Sequence, residues 1–438
     1  MMTKQIPHIP RWQTIINTLR IFNNPIPVFK DYLSRYGDTY HVYVAGVMPA
    51  IFSADPAFAQ HVLQKNHRNY RKSEIQTDAI GTYVGKGLLT TDGAYWLQQR
   101  RLIQPGFHRE RLKKIQKIMT TVIDRYMSQL EAKITVNPVV DIHQETLEVA
   151  HRIIVQSLFS DNLNEDEMKR LGKNITEVQR FLIKQIRLSF LDGWFALTGQ
   201  KRKYLNIAKE SNNIILKYIN DRRQGSQQHD DLLQMLMESR YEDTGEGMTD
   251  KQILDESLIL FVAGHETSAN AMAWMIYLLS QHPEVLAKLK ADDSGDYAKM
   301  VVNESLRLYP PAWITDRVAI DEDEFKGVRI PKGILVIPYI YGIHHSEKVW
   351  DDPEKFIPER FDQNQERHPF AFMPFGGGPR LCIGNNFAMM EMEMFLKAFV
   401  ERFDFELVTG QKIEMQPLVT LRPKNGIKMM VKNRCLTV

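Results

Sequence analysis

Cys382 is one of only two cysteines in a chain of 438 residues, and it stands in the run Phe375-Gly-Gly-Gly-Pro-Arg-Leu-Cys-Ile-Gly384. Gly376, Gly377 and Gly378 let the backbone turn tightly and approach a flat ligand closely. Arg380 places a permanent positive charge two residues before the thiol, where it can pair with an anionic group on that ligand. After Gly384 the apolar residues Met389, Met390, Phe395, Leu396, Phe399 and Phe403 recur at helical intervals. Cys382 is therefore expected just ahead of a helix N-terminus, whose free N–H groups favour a thiolate. The thiolate is the form that ligates a metal.

A second constellation lies in Ala263-Gly-His-Glu-Thr-Ser268. Thr249 and Gln252 form a capping-box signature and Pro283 follows His282, so one helix of roughly 50 Å is framed by a start and a stop. Between 258 and 279 its only ionisable groups are His265, Glu266 and Tyr277, which predicts burial on nearly all sides. A membrane span is excluded by a histidine, a carboxylate and Asn270 in mid-helix. Gly264 removes a side chain where a ligand could come close, and the Thr267 hydroxyl can bond back to the Ala263 carbonyl, leaving a polar notch. Glu266 beside it is placed for general acid/base work.

The pattern F-x-x-G-x-x-x-C-x-G, met by Phe375, Gly378, Cys382 and Gly384, resembles the haem-binding loop of the cytochrome P450 monooxygenases. Ala263 to Thr267 resembles that family's acid and alcohol motif. The resemblance implies a b-type haem (iron protoporphyrin IX) with Cys382 as axial ligand, Ala263, Gly264, Phe375, Gly376, Arg380 and Gly384 around it, and Glu266 and Thr267 serving dioxygen (O2) as co-substrate. Trp96 and Arg100, four apart, share a helix face and can both reach one carboxylate; a Trp and Arg at this spacing also form cation–π surface pairs. The resemblance assigns them to one haem propionate and Arg317 to the other. It further implies a structural ionic network of Glu304, Arg307 and Arg360, a structural role for His344, and a substrate pocket containing Ala312, Trp313, Ile314, Val419 and Thr420.

The elements that must hold these residues read as mainly helical with small β-sheets, the haem lying between the long central helix and the helix after the cysteine. Residues 24–36 predict a helix, 39–53 two strands around Gly46, 55–66 a helix, 67–92 a long polar loop, and 139–238 a succession of helices. No repeat, low-complexity tract or linker marks a boundary, so 1–438 is expected to be a single domain, with β-structure mainly in 24–66 and 312–438 and helices mainly in 93–310. Phe181, Leu182, Phe190, Leu191, Trp194 and Phe195 read as a pocket roof or as ordinary packing.

Apolar residues at 43%, charged residues at 25% and a net charge of +3 describe an ordinary globular protein and give no sign of nucleic-acid binding. Cys382 and Cys435 cannot build a disulfide framework, which favours a reducing compartment. The first twenty residues lack the apolar core of a signal peptide or membrane anchor, so a soluble, cytoplasmic, prokaryotic-type enzyme is expected. Residues 100–117 carry seven Lys or Arg and one acid, Glu110. They read either as a solvated helix face or as the surface where an acidic electron donor docks. No G-x-G-x-x-G follows a strand, so electrons are expected from a separate ferredoxin or flavodoxin and its NAD(P)H-dependent reductase. The reading is a monooxygenase acting on a small organic substrate; the alternatives are a haem-thiolate sensor without turnover and peroxide-driven or isomerase chemistry on the same fold.

Overall fold

The central helix forms as its caps require. The Gln252 N–H donates to the Thr249 hydroxyl at 3.3 Å and the Thr249 N–H donates to the Gln252 side chain at 2.9 Å, and the helix spans Asp250–Gln281 before Pro283. In this computed structural model, which describes residues 6–44, 46, 48–160, 164–188, 191–225, 227, 229–362 and 366–434, with the side chains at 109 and 187 excluded, the helix is lined with buried residues from Ile253 to Leu279. Burial on several sides follows from its neighbours, the helices Ile142–Phe159, Gln200–Gln224, Asp296–Leu308 and Asn385–Arg402, which all pack against it.

The sheets are small. Five strands lie in the spatial order Thr39–Val44, Met48–Ser53, Leu335–Pro338, Arg317–Ala319, Tyr70–Arg71. A three-stranded sheet joins Val139–Asp141, Lys428–Asn433 and Phe403–Leu407. Buried apolar side chains form two clusters, one among the helices and one beneath the five-stranded sheet. Tyr309 packs against both, stacking on Trp274 of the central helix with ring centroids 4.2 Å apart. The mainly helical fold with small sheets is as expected.

Two segments differ from the sequence reading. Residues 139–141 are a strand, because Val139 and Val140 pair with Met430 and Met429. Residues 67–92, read as a loop, hold the strand Tyr70–Arg71 and the helical turns Ile75–Ile80 and Gly81–Val84. Buried Lys72 and Thr90 organise this stretch by hydrogen-bonding its carbonyls, a role that polar composition alone does not reveal. Cys435 and Phe190 lie outside the described residues.

Candidate active site

The cysteine loop is wound by its own backbone. The Cys382 N–H donates to the Phe375 carbonyl at 3.0 Å, the Gly376 N–H to Met373 at 3.0 Å and the Leu381 N–H to Gly378 at 3.0 Å. Gly378 has φ +68°, and a Cβ there would stand 1.9 Å from the Leu63 carbonyl oxygen, so both conformation and space demand glycine. The helix Asn385–Arg402 begins where expected, with Gly384 as its cap. The Cys382 side chain opens onto free space while protein surrounds it at longer range. Burial accordingly pushes its thiol up, against the pull of the Gly384 N–H and the Arg100 charge.

Behind the loop, Arg307 and Glu304 are fully buried one turn apart on Asp296–Leu308, joined by two bonds of 2.7 and 2.8 Å. Arg307 also donates to the carbonyls of His344 and Pro353, both at 2.7 Å. Arg360 completes the network 3.3 Å from Glu304. His344 Nε2 accepts the Met373 N–H at 3.0 Å, so its Nδ1 carries the proton donated to the Arg307 carbonyl at 3.2 Å. The expected structural network is therefore present, and it reaches the cysteine loop through one imidazole.

At one edge three cations converge. Arg380 is ion-paired with Asp92, donates to the Tyr70 carbonyl at 2.9 Å and lies 5.4 Å from the Trp96 ring, with its Nε buried and unpartnered. Lys72 stands 5.9 Å from the same ring and donates to the carbonyls of Leu88 and Leu89. Burial, with Arg317 next and Arg380 behind, pushes Lys72 down to about 7. Arg317, also buried, is pushed down to about 10 by burial and by Arg380. Lys72 and Asp92 are absent from the sequence-based site, since nothing in that polar stretch distinguishes Lys72 from Arg68 or Arg71. Arg100, one helical turn from Trp96, donates from its guanidinium to the Leu381 carbonyl at 2.9 Å and so also reaches the cysteine loop.

On the central helix the Thr267 hydroxyl donates to the Ala263 carbonyl at 2.5 Å, and Ala263 is exposed on a helix otherwise largely enclosed. A Cβ on Gly264 would meet Ile154 at 3.0 and 3.3 Å, so the missing side chain admits the helix Ile142–Phe159. Glu266 faces a cleft of about 610 Å³ that also includes His151, Arg180, His265 and Arg422. Burial raises its carboxyl above the ordinary range, with Thr420, Arg422 and Arg180 pulling the other way. Among the described residues no group of acids, histidines and cysteines forms a metal cluster.

The expected substrate residues divide by alternation. Ala312 and Ile314 are half-buried and Val419 is exposed. Trp313 turns the other way: it is buried in the sheet-side core with Phe29 and Tyr339, and its indole donates to the Leu418 carbonyl at 3.1 Å. Thr420 is likewise taken up structurally, its hydroxyl accepting from Asn270 at 3.0 Å while Asn270 is held by His143 at 2.8 Å. Phe181, Leu182 and Phe195 are core residues and Trp194 is exposed, so packing accounts for the first three.

A lone thiol facing open space, a buried cation cluster with an unpartnered guanidinium nitrogen at one edge, and a polar notch on the long helix form a donor set that fits an iron porphyrin with two carboxylates. The chain belongs to the cytochrome P450 family, whose description matches residues 7–431. It is 28% identical to a cytokinin hydroxylase of Arabidopsis thaliana over 93% of this chain and 83% of that protein. It is also 28% identical to an echinocystic acid 23-monooxygenase of Saponaria officinalis over 93% and 84%. The fold matches the crystal structure of the cytochrome P450DA heme domain with a TM-score of 0.87 at 21% identity, covering 99% of each chain. The family's chemistry is haem-thiolate monooxygenation using dioxygen, and haem is its cofactor.

Proposed function

We propose that this protein inserts one atom of dioxygen into a small, mainly apolar organic molecule, as a hydroxylation or an oxidative demethylation. The other atom leaves as water, with two electrons and two protons supplied from outside. Haem, when bound, supplies the oxidising chemistry. The chain's part is to hold the cofactor, orient the substrate and move protons. Cys382 would hold the haem iron through its sulfur. Lys72, Trp96, Arg100, Arg317 and Arg380 would hold the propionates, with Arg100 also bracing the loop that carries the thiol. Ala263, Ile314 and Val419 offer apolar surface to the substrate.

The observation that carries this reading is the pairing of Glu266 and Thr267 on adjacent positions of the central helix, with Glu266 open to a polar cleft. A carboxyl whose affinity for protons is raised by burial can take one from water in the cleft and release it inward. The Thr267 hydroxyl, bonded back to Ala263, presents its oxygen at the notch as the next acceptor and donor. A sensor without turnover has no use for such a pair.

Exposed Arg101, Arg111, Lys113, Lys114 and Lys117 support docking of an acidic ferredoxin or flavodoxin reduced by an NAD(P)H-dependent reductase. A cytoplasmic location is part of the reading and rests on the cysteine content. Turnover with a surrogate ferredoxin, its reductase and dioxygen, compared with peroxide alone, tests the reaction class. Product that depends on the reductase supports monooxygenation; product only with peroxide overturns it. Thr267→Ala is expected to divert reductant from product by tenfold or more, in the range a proton-transfer group contributes.

A further inference from the structure

The helix Arg11–Asn23 packs inside out. Trp12, Ile15, Ile16 and Leu19 are 63, 59, 68 and 77% exposed, while the one fully buried side chain is Thr14. Beside Ile21, which packs against the sheet-side core, the inward contacts are polar: Asn17 donates to the Tyr32 hydroxyl at 3.0 Å, and Gln13 accepts from the Tyr36 hydroxyl at 2.8 Å. The four exposed residues stand at i, i+3, i+4 and i+7, which at about 100° per residue gathers them into one sector about 100° wide. An amphipathic helix of a globular protein turns such a stripe to the core; this one turns it to the outside.

Charge identifies what the stripe meets. Arg11 and Arg20 fall about 40° beyond either edge of the sector, both are exposed, and the helix contains no acid. An apolar band with an interfacial tryptophan, bordered on both sides by guanidinium groups, matches the boundary between acyl chains and anionic headgroups. The surface continues onto the neighbouring hairpin. Ile15 lies against Gly46 at the hairpin's turn, 2.8 Å from where a Cβ would be, and Met48 beside it is 40% exposed. The four side chains offer on the order of 500 Å², short of the ~800 Å² per partner that a stable protein interface buries. A bilayer sets no such threshold and needs no shape complementarity. No helix among the described residues is long and apolar enough to cross a membrane, so the contact is peripheral.

We propose that the helix Arg11–Asn23 lies on an anionic lipid surface, its Trp12, Ile15, Ile16 and Leu19 stripe in the interface and Arg11 and Arg20 among the headgroups. The inference is independent of the catalytic reading.

The test is flotation of the holoenzyme with vesicles of equal parts phosphatidylglycerol and phosphatidylcholine, and with phosphatidylcholine alone. The expected result is binding to the mixed vesicles that falls at least tenfold in Ile16→Glu/Leu19→Glu and roughly tenfold in Arg11→Gln/Arg20→Gln. Both variants change only exposed side chains, and each is checked for unaltered haem content and thermal midpoint. Trp12→Phe should remove the vesicle-induced blue shift of tryptophan fluorescence. The proposal is overturned if the wild type does not bind, or if the stripe variant binds equally well. It is also overturned if binding is lost only in Trp194→Ser/Leu197→Ser, which alters a separate pair of exposed apolar residues. Sedimentation showing a dimer that Ile16→Glu/Leu19→Glu dissolves, without vesicle binding, would assign the stripe to a second copy of the chain instead.

Discussion

His344 ties Met373 of the cysteine loop to the buried Glu304–Arg307 pair. Its Nε2 takes the Met373 N–H and its Nδ1–H goes to the Arg307 carbonyl, so the tautomer is fixed and both nitrogens are satisfied. Burial, with His345 and Arg307 adding, holds the imidazole neutral far below its ordinary range. His344→Ala leaves a buried N–H and a buried carbonyl without partners and is expected to cost about 2–4 kcal/mol. The folded state binds fewer protons here than the unfolded chain below about pH 6.5, so this group's share of stability is lost as pH falls. Denaturation across pH 4 to 7 should show the acid limb shallower by about one proton in the variant, with haem occupancy reduced.

Gly264 serves helix contact, and a double-mutant cycle reads this directly. Gly264→Ala pushes a methyl to 3.0 Å from the Ile154 Cδ1 and should destabilise by about 1–3 kcal/mol. Ile154→Val removes that atom, so the two changes together should cost less than their sum. Additive costs from chemical denaturation would return Gly264 to a ligand role.

Lys72 gives a distinct signature. Between about 7 and its ordinary value the cofactor-free folded state holds fewer protons than the unfolded chain. Stability of that form therefore rises with pH across this window, and Lys72→Met should flatten the rise. The same variant is expected to weaken haem affinity roughly 10–100-fold, the value of a charge-assisted hydrogen bond, measured by haem titration.

Glu391, on the helix after the cysteine, is buried with neither carboxylate oxygen bonded to an aligned donor. Burial pushes it up to about 8, the nearby Ser268 pulling weakly the other way. The folded state holds an extra proton from about pH 4.5 to about 8, so stability falls as pH rises through that range. Glu391→Gln keeps the neutral shape without the titration. Its thermal midpoint relative to wild type should be higher at pH 8 than at pH 5; a constant difference would contradict the assignment.

The legible parts of this molecule were those where a residue type is chemically scarce or sterically forced. A cysteine inside a glycine turn, a capping box opening a 32-residue helix that closes ahead of a proline, and Glu304 three before Arg307 each announce a local requirement, and each formed. What stayed hidden depends on which way a side chain faces. Trp313 alternates into the sheet-side core while Ala312 and Ile314 stay half-buried, Thr420 is held by Asn270 of the central helix, and Arg100 reaches the Leu381 carbonyl. Lys72 is buried by its bonds to the Leu88 and Leu89 carbonyls and feels the charge of Arg317, more than 200 positions away in the chain. Spacing along the chain carries none of this.

The axial assignment of Cys382 decides the account, and the absorption spectrum of the reduced, carbon monoxide-bound haem protein tests it. Wild type is expected to show the red-shifted band characteristic of thiolate ligation, and Cys382→Ser, purified with haem, is expected to lack it. Persistence of that band in the serine variant would contradict the assignment.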